Sequence, residues 1–440
     1  MASNKDILNA QRYNRRRLVA AFTSGAPGGR DVETRSPVGP LIGGAVLGAI
    51  VVAVAAVMGF MAPQLPDGWQ NGWLLIESGT GTRYYTIDGT LYPITNVTSA
   101  RLLADNFQYK EIDAAKLADE PRGRQIGLPD APDNVPAASD LRSSQWSSCA
   151  VAGGIHTWIG EQPPGMRPAT IAQVNVGDTY YLIDGGTRFR IDDPIYVRDA
   201  LGIAETSTAV SNSWLSLFAQ GSDLRQLTVK GERHKLGLSG ALAPAEVGSV
   251  IDLATQDSTH NYWVITSATT RQQISELAFE LLRKQDNPDA IRVSAADAGR
   301  FTPSAAGLSV PADWPDLIDP AAVATATPCA TLVAAQDGLT TALATIPAQP
   351  ADPSAADETV YTAGVTVAGG SGALVRDLGV GAVRLIGDTG LAYGLGDDPT
   401  DSLKRLGYEG VQPAVLDGAW LRLIPEGSSL TNAAAKETIQ

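Results

Sequence analysis

Hydrophobic and polar positions change rhythm twice along the chain. Over residues 5–22 (KDILNAQRYNRRRLVAAF) apolar side chains recur at steps of three and four, through Ile7, Leu8, Leu18 and Phe22. This predicts a helix that Asn4 can cap and that Gly25 and Pro27 end. From Leu41 to Ala62 (LIGGAVLGAIVVAVAAVMGFMA) the pattern becomes apolar all round. At ~1.5 Å per residue that run reaches roughly 33 Å, enough for one membrane-crossing helix. Beyond residue 66 short apolar runs alternate with turn residues, the pattern of strands and hairpins interleaved with short helices.

The region after residue 66 repeats itself. An apolar run, a turn, an aromatic pair, a second turn and a helix-like stretch ending in Leu occur from Leu74 to Leu103, with Tyr84 and Tyr85, and again from Val174 to Gly202, with Tyr180 and Tyr181. A third copy, from Val250 to Leu282, carries Tyr262 and Trp263, and a compressed fourth, from Ala382 to Gly407, carries Tyr393. Each copy predicts a small β-meander packed on one helix, in which the aromatics serve hairpin packing or, alternatively, ligand stacking. The irregular spacing of the copies excludes a tight solenoid. Stretches rich in Pro, Ala and Asp (Leu128–Pro136, Pro320–Pro328 and Pro347–Glu358) read as linkers or loops.

Charge sharpens this picture. The 440 residues carry a formal net charge of -14, but residues 1–40 hold seven basic and three acidic side chains, which leaves -18 on the remainder. No charge occurs between Ser36 and Pro66. The positive-inside rule therefore predicts a cytoplasmic tail, one span, and an acidic domain outside the membrane, unsuited to nucleic acid. On the tail helix, Arg12, Arg15, Arg16 and Arg17 with Leu18 and Phe22 offer either attraction to anionic lipid or docking onto a protein partner. Gly44 and Gly48 form a G-x-x-x-G pair that allows close helix approach in the span. Cys149 and Cys329, the chain's two cysteines, both fall on the outer side, where a disulfide is stable and is favoured over two buried thiols.

Catalytic chemistry is hard to find. There is no phosphate-binding G-x-x-x-x-G-K-[ST] pattern, and neither Gly369-Gly370-Ser371-Gly372 nor Gly379-Val380-Gly381 is followed by the lysine such a loop requires. Gly237-Leu-Ser239-Gly240-Ala241 lacks the last glycine of a nucleophile elbow. His156, His234 and His260 lie on separate segments with no ligand-spaced neighbour, so no metal or cofactor is expected. Asp397, Asp398 and Asp401 lack a calcium-loop spacing and read as a turn capping the next helix. Asn96-Val97-Thr98 matches a glycosylation sequon.

The predicted fold is α+β: a cytoplasmic N-terminal helix, one transmembrane helix and an elongated extracytoplasmic domain of four small α/β repeats around a central module. The expected boundaries are a basic tail at 1–40, a span at 41–62 and repeats at 70–118, 173–248, 249–309 and 381–425. The central module takes 119–172 and 310–380, and a C-terminal tail 426–440.

The tail QRYNRRRLVAAF, the single span and GWLLIESGTGTRYYTIDGTLYPITNVTSARLL together resemble the EccB family, the bitopic core subunit of actinobacterial type VII (ESX) secretion machines. The resemblance extends over nearly the whole chain, through the repeats, the cysteine pair and LDGAWLRLIPEGSSL. It implies assembly in the inner membrane with an FtsK/SpoIIIE-type ATPase and with multispanning and bitopic subunits, the Arg-rich helix docking on those partners. It also implies homo-oligomerisation around the conduit and contact with peptidoglycan. ATPase activity is ascribed to some family members.

Overall fold

The computed structural model describes residues 4–24, 38–61, 65–231, 233–253, 260–283, 289–336, 338–348 and 363–437. Most of the Pro347–Glu358 stretch and residues 25–37 of the basic tail fall outside them. The chain divides into two compact units, Met1–Leu65 with Ile112–Lys116, and Pro66–Glu111 with Leu117–Gln440. In the first, helix α1 (Asn4–Ser24) is followed by helix α2 (Val38–Met61), which contains no charged residue. Among the described residues no helix is long and apolar enough to cross a membrane; side chains of α2 are described from 38 to 54 and at 57.

The second unit is built on five sheets, four of which follow one plan. A three-stranded antiparallel meander is followed by a helix, and the chain then returns as a strand beside the first strand of the meander. The first sheet runs Trp73–Glu77, Arg83–Ile87, Thr90–Pro93, helix Val97–Leu103 and Gln108–Ile112. The second runs Ile171–Val176, Thr179–Asp184, Thr187–Ile191, helix Pro194–Leu201 and Thr208–Ala209. The third is Val250–Leu253, Tyr262–Ile265, Thr270–Gln273, helix Glu276–Arg283 and Ile291–Val293; the fourth is Ala373–Asp377, Val383–Ile386, Ala392–Gly394, helix Thr400–Leu406 and Ala414–Leu416. Local chemistry sets these elements. Asp88 and Gly89, both at positive φ, make the tight turn between the second and third strands of the first sheet. Asn96, Asp193 and Asp398 accept backbone N–H bonds at the helix starts, and Gly202 and Gly407 end two helices in the left-handed conformation.

A further contact recurs at the end of the plan. A segment beyond the returning strand pairs in parallel with the meander's third strand, at Leu91↔Arg122, Arg188↔Gln220, Arg271↔Pro303 and Ala392↔Glu426. The next residues are Tyr92 against Gly123, Phe189 against Gly221 and Tyr393 against Gly427, and a Cβ on any of these glycines would be driven into the ring. The third sheet has Gln272 at this position, whose amide clamps the Leu308 backbone at 2.8 and 3.0 Å. Tyr393 thus stands on the third strand, whereas the aromatic pairs of the other three sheets stand on the second.

The fifth sheet is six-stranded, in the order Gly364–Val367, Gly154–Ile159, Trp146–Val151, Thr327–Ala335, Gly338–Ile346, Arg167–Pro168. Cys149 lies directly opposite Cys329 on adjacent antiparallel strands, and the two form a buried disulfide. Sheets two and four share one apolar core with this sheet, anchored by Trp214 and Trp420. The Trp214 indole donates to the Ser148 carbonyl at 2.8 Å, and that of Trp420 to the Thr341 hydroxyl at 3.0 Å. Sheets two and three share a second core, and sheets one and four a third.

The Leu128–Pro136 stretch is no free linker. Leu128, Ala131 and Val135 are buried in the core shared by sheets one and four. Its carbonyls accept from Tyr393 (at Asp130, 2.5 Å) and Tyr408 (at Pro136, 2.7 Å), while Asp133 pairs with Arg83. Composition suggested a linker or loop because proline and aspartate are common in both; it is a loop, and the apolar residues between them supply its packing.

Two outcomes are expected in the detergent-solubilised full chain. Mass spectrometry finds no free thiol before reduction, and reduction lowers the unfolding free energy by about 2–5 kcal/mol in urea titrations. Gly427→Ala costs about 1–3 kcal/mol through overpacking against Tyr393, whereas Gly369→Ala, with nothing within 4 Å of the added carbon, leaves the midpoint unchanged.

Candidate interaction sites

Helix α1 presents Arg12, Arg15, Arg16, Arg17, Leu18 and Phe22, all exposed, with Phe22 at 88%. Cationic and apolar groups on one exposed helix suit either an anionic lipid surface or an acidic protein groove.

The repeat aromatics are largely committed to packing. Arg122 lies 5.1 Å over the Tyr84 ring and donates to its hydroxyl at 3.0 Å. Arg198 covers Tyr180 at 4.6 Å, and Arg271 covers Trp263 at 4.3 Å. Tyr181 is half-buried against the core that surrounds Trp146. Tyr262 stacks between His260 and Phe279, with ring centroids 5.3 and 4.2 Å away, and Tyr393 is fully buried. A face already covered by a guanidinium or a second ring is closed to a ligand.

The polar motifs resolve individually. Asn96 of the sequon is 3% exposed: its Oδ1 accepts from Ser99 N–H at 2.8 Å, and its Nδ2 donates to the Leu128 and Ala131 carbonyls. It is a helix cap and a strut to the buried strap, with no room for a glycan. The Thr400 side chain and then its N–H, which donates to Asp398 at 3.0 Å, hold the Asp398 carboxylate below the ordinary range. His260 Nδ1 lies 2.7 Å from the buried Asp252 carboxylate, a pairing that carries no sequence signature. His156 Nε2 lies 2.8 Å from the Thr366 hydroxyl. Among the described residues no group of three or more His, Cys, Asp or Glu could hold a metal ion.

One cavity, of about 510 Å³, opens beside the first sheet between its strands and the helix-to-strand loop. Trp73, Tyr85, Thr86, Asp105, Asn106 and Gln108 are among its lining residues. The Tyr85 hydroxyl is pushed up to about 12, first by burial and then by the Asp105 carboxylate, so it remains a hydrogen-bond donor. Sequence reading singled out Tyr85 but not its neighbours, which only the strand pairing and the loop after the helix bring together.

Comparison with known proteins follows from this architecture. The family profile described as "Type VII secretion system ESX-1, transport TM domain B", that of EccB, matches residues 1–439. The chain belongs to the EccB family. Among EccB relatives, the "ESX-3 secretion system ATPase EccB3" of Mycolicibacterium smegmatis is 26% identical over 439 residues, covering 88% of this chain and 82% of the relative. The "ESX-2 secretion system ATPase EccB2" of Mycobacterium tuberculosis H37Rv is 28% identical over 342 residues, 73% of this chain and 68% of the relative. A chain of an intact ESX-5 inner membrane complex shares the fold at a TM-score of 0.64 and 19% identity, over 99% of this chain and 95% of its own. EccB3 in a dimer from the ESX-3 core complex gives 0.59 and 21%, over 82% and 99%.

The Asn96 assignment has a direct test. Asn96→Ala removes the cap and leaves two carbonyls unpaired, at an expected cost of about 1–3 kcal/mol in urea unfolding.

Proposed function

We propose that this chain is a structural core subunit of a type VII (ESX) secretion complex in the inner membrane. In this role it crosses the membrane once through α2, with α1 in the cytoplasm and the five-sheet unit outside. The observation that carries the reading is the family match over residues 1–439. An uncharged helix of 24 residues extends about 36 Å at ~1.5 Å per residue, and the arginines precede it. The exposed Arg12–Phe22 face is the docking element for the cytoplasmic subunits, including an FtsK/SpoIIIE-type ATPase. The five-sheet unit oligomerises with further copies.

The relatives' names include the word ATPase, but the glycine-rich stretches here are turns: Gly379 and Gly381 shape the hairpin after Ala373–Asp377, and Gly372 is pressed against the Ile386 carbonyl. No hydrolytic step is assigned to them.

Reversing Arg15, Arg16 and Arg17 to Glu in the full chain, expressed with its native partners, is expected to remove the ATPase from affinity-purified complexes while the Cys149–Cys329 bond still forms. Unchanged recovery of the ATPase would overturn the docking role of α1.

A further inference from the structure

Three sheet edges converge on one cavity. In the central sheet, Leu343 turns its backbone away from Thr327–Ala335, donating to the Gly185 carbonyl at 2.8 Å and accepting from Ala169 N–H at 3.2 Å. Alternation along the strand gives Leu339 and Thr341 the same outward aspect. Arg167–Pro168 pairs with this strand only at Ala344 and Thr345, and the Thr341 carbonyl is covered by Gly186, where an added Cβ would stand 2.5 Å from it. In sheet four the Leu416 carbonyl accepts from Leu378 N–H at 2.8 Å, so Val415 faces away from Ala373–Asp377. In sheet two Ala219 and Gly221 donate to the Gly186 and Arg188 carbonyls at 3.0 and 2.9 Å, so Gln220 between them faces outward. Among the described residues, the backbone groups of Leu339, Val415 and Gln220, and the Thr341 N–H, have no protein partner. All four residues line a cavity of about 460 Å³.

The surroundings are apolar and acidic. Of the seven large hydrophobic side chains exposed beyond residue 66 among the described residues, Leu378 and Val415 line the cavity, Val380 stands in the same turn as Leu378, and Val333 is paired with the lining residue Thr340. Beside them lie two carboxylates: Asp417 lines the cavity, and a Cβ on the next residue, Gly418, would stand 2.6 Å from Asp377 Oδ2. Each uses Oδ1 locally, Asp417 accepting from Ala419 N–H and Asp377 from Gly379 N–H, both at 2.7 Å, and each keeps Oδ2 without a protein hydrogen bond. The nearby arginines are spent on carbonyls, Arg188 on Leu215 at 2.6 Å and Arg376 on Gly381 at 3.1 Å. The charge complement of this mouth is therefore a cation. Neither lysine nor proline guards residues 338–341, as one commonly does on an exposed edge. Unpaired edge groups beside pockets for alternate side chains are the features that recruit an added strand.

We propose that this cavity is a docking groove for an extended segment of another protein, apolar at alternate positions and carrying a basic residue. The segment pairs with the free edge at Leu339 and Thr341, lays apolar side chains on Leu378 and Val415, and sets its cation against Asp377 and Asp417. The groove belongs to the five-sheet unit, so its test is separate from that of the α1 docking role.

The test titrates the detergent-solubilised full chain into fluorescent peptides of about eight residues that alternate valine and threonine and end in lysine, serine or glutamate, reading anisotropy. Saturable binding is expected, tightest for the lysine-ended peptide and lost when a central valine is replaced by proline. Leu378→Asn with Val415→Thr, both exposed positions, weakens every peptide about tenfold with the thermal midpoint unchanged. Asp377→Asn with Asp417→Asn keeps the local acceptors, weakens the lysine-ended peptide about threefold to tenfold and leaves the serine-ended one unchanged. Ile195→Asn, an exposed apolar residue away from the groove, changes nothing. Absence of saturable binding, equal affinity for the proline-substituted peptide, or insensitivity to Leu378→Asn with Val415→Thr would each overturn the proposal. So would self-association of the chain that this pair abolishes while no peptide binds, since the occupant would then be a second copy.

Discussion

The pairing of Trp146–Val151 with Thr327–Ala335 is the constraint on which the second unit depends. It joins segments 180 residues apart at the disulfide, and sheets two and three lie in the loop it closes. Because closure entropy grows only logarithmically with loop length, so large an insertion is tolerated once the two strands are in register. The strands are buried and partly polar: Thr331 donates to the Trp146 carbonyl at 3.1 Å, and Thr157 to the Ser148 hydroxyl at 3.2 Å. In a buried environment such bonds penalise any slipped register, which would leave these hydroxyls unpaired.

The four meander sheets show how one plan is adapted. The close contact of glycine with an aromatic ring fixes the return of the chain in three of them, whereas the short helix after the returning strand varies with its neighbour. It carries Trp214 in the second sheet and Trp420 in the fourth, the two that share a core with the central sheet. The corresponding helix of the third, Ala295–Ala298, has no large side chain and packs in a small core of its own. The two meanders that dock centrally are thus the two whose short helix carries a tryptophan.

Legibility in the sequence followed the range of the interactions. The tail helix and the strands around Tyr84 and Tyr180 are written in local periodicity and turn residues, and the cysteine pair had no alternative partner. Family membership was readable because the tail, the uncharged run and the first repeat occur in a fixed order. The packing of the Leu128–Pro136 loop was not legible because its partners, Tyr393 and Tyr408, lie more than 250 residues away. The cavity beside the first sheet was missed for a related reason: its lining comes from two strands, the loop after the helix and Lys436, residues that only the fold brings together. The placement of Tyr393 required the parallel bridge to Glu426, which no short motif encodes.

Sheets one and four share a core, and the Asn432 side chain donates to the Leu102 carbonyl at 2.7 Å. This arrangement sets an order of events. A chain emerging N-terminus first presents its first sheet hundreds of residues before the surface that covers it exists, so Leu74, Leu102 and Leu103 face solvent or a chaperone until the last segment arrives. Vectorial synthesis and final structure are therefore out of phase, and completion of the C-terminal sheet is the step that seals the N-terminal one.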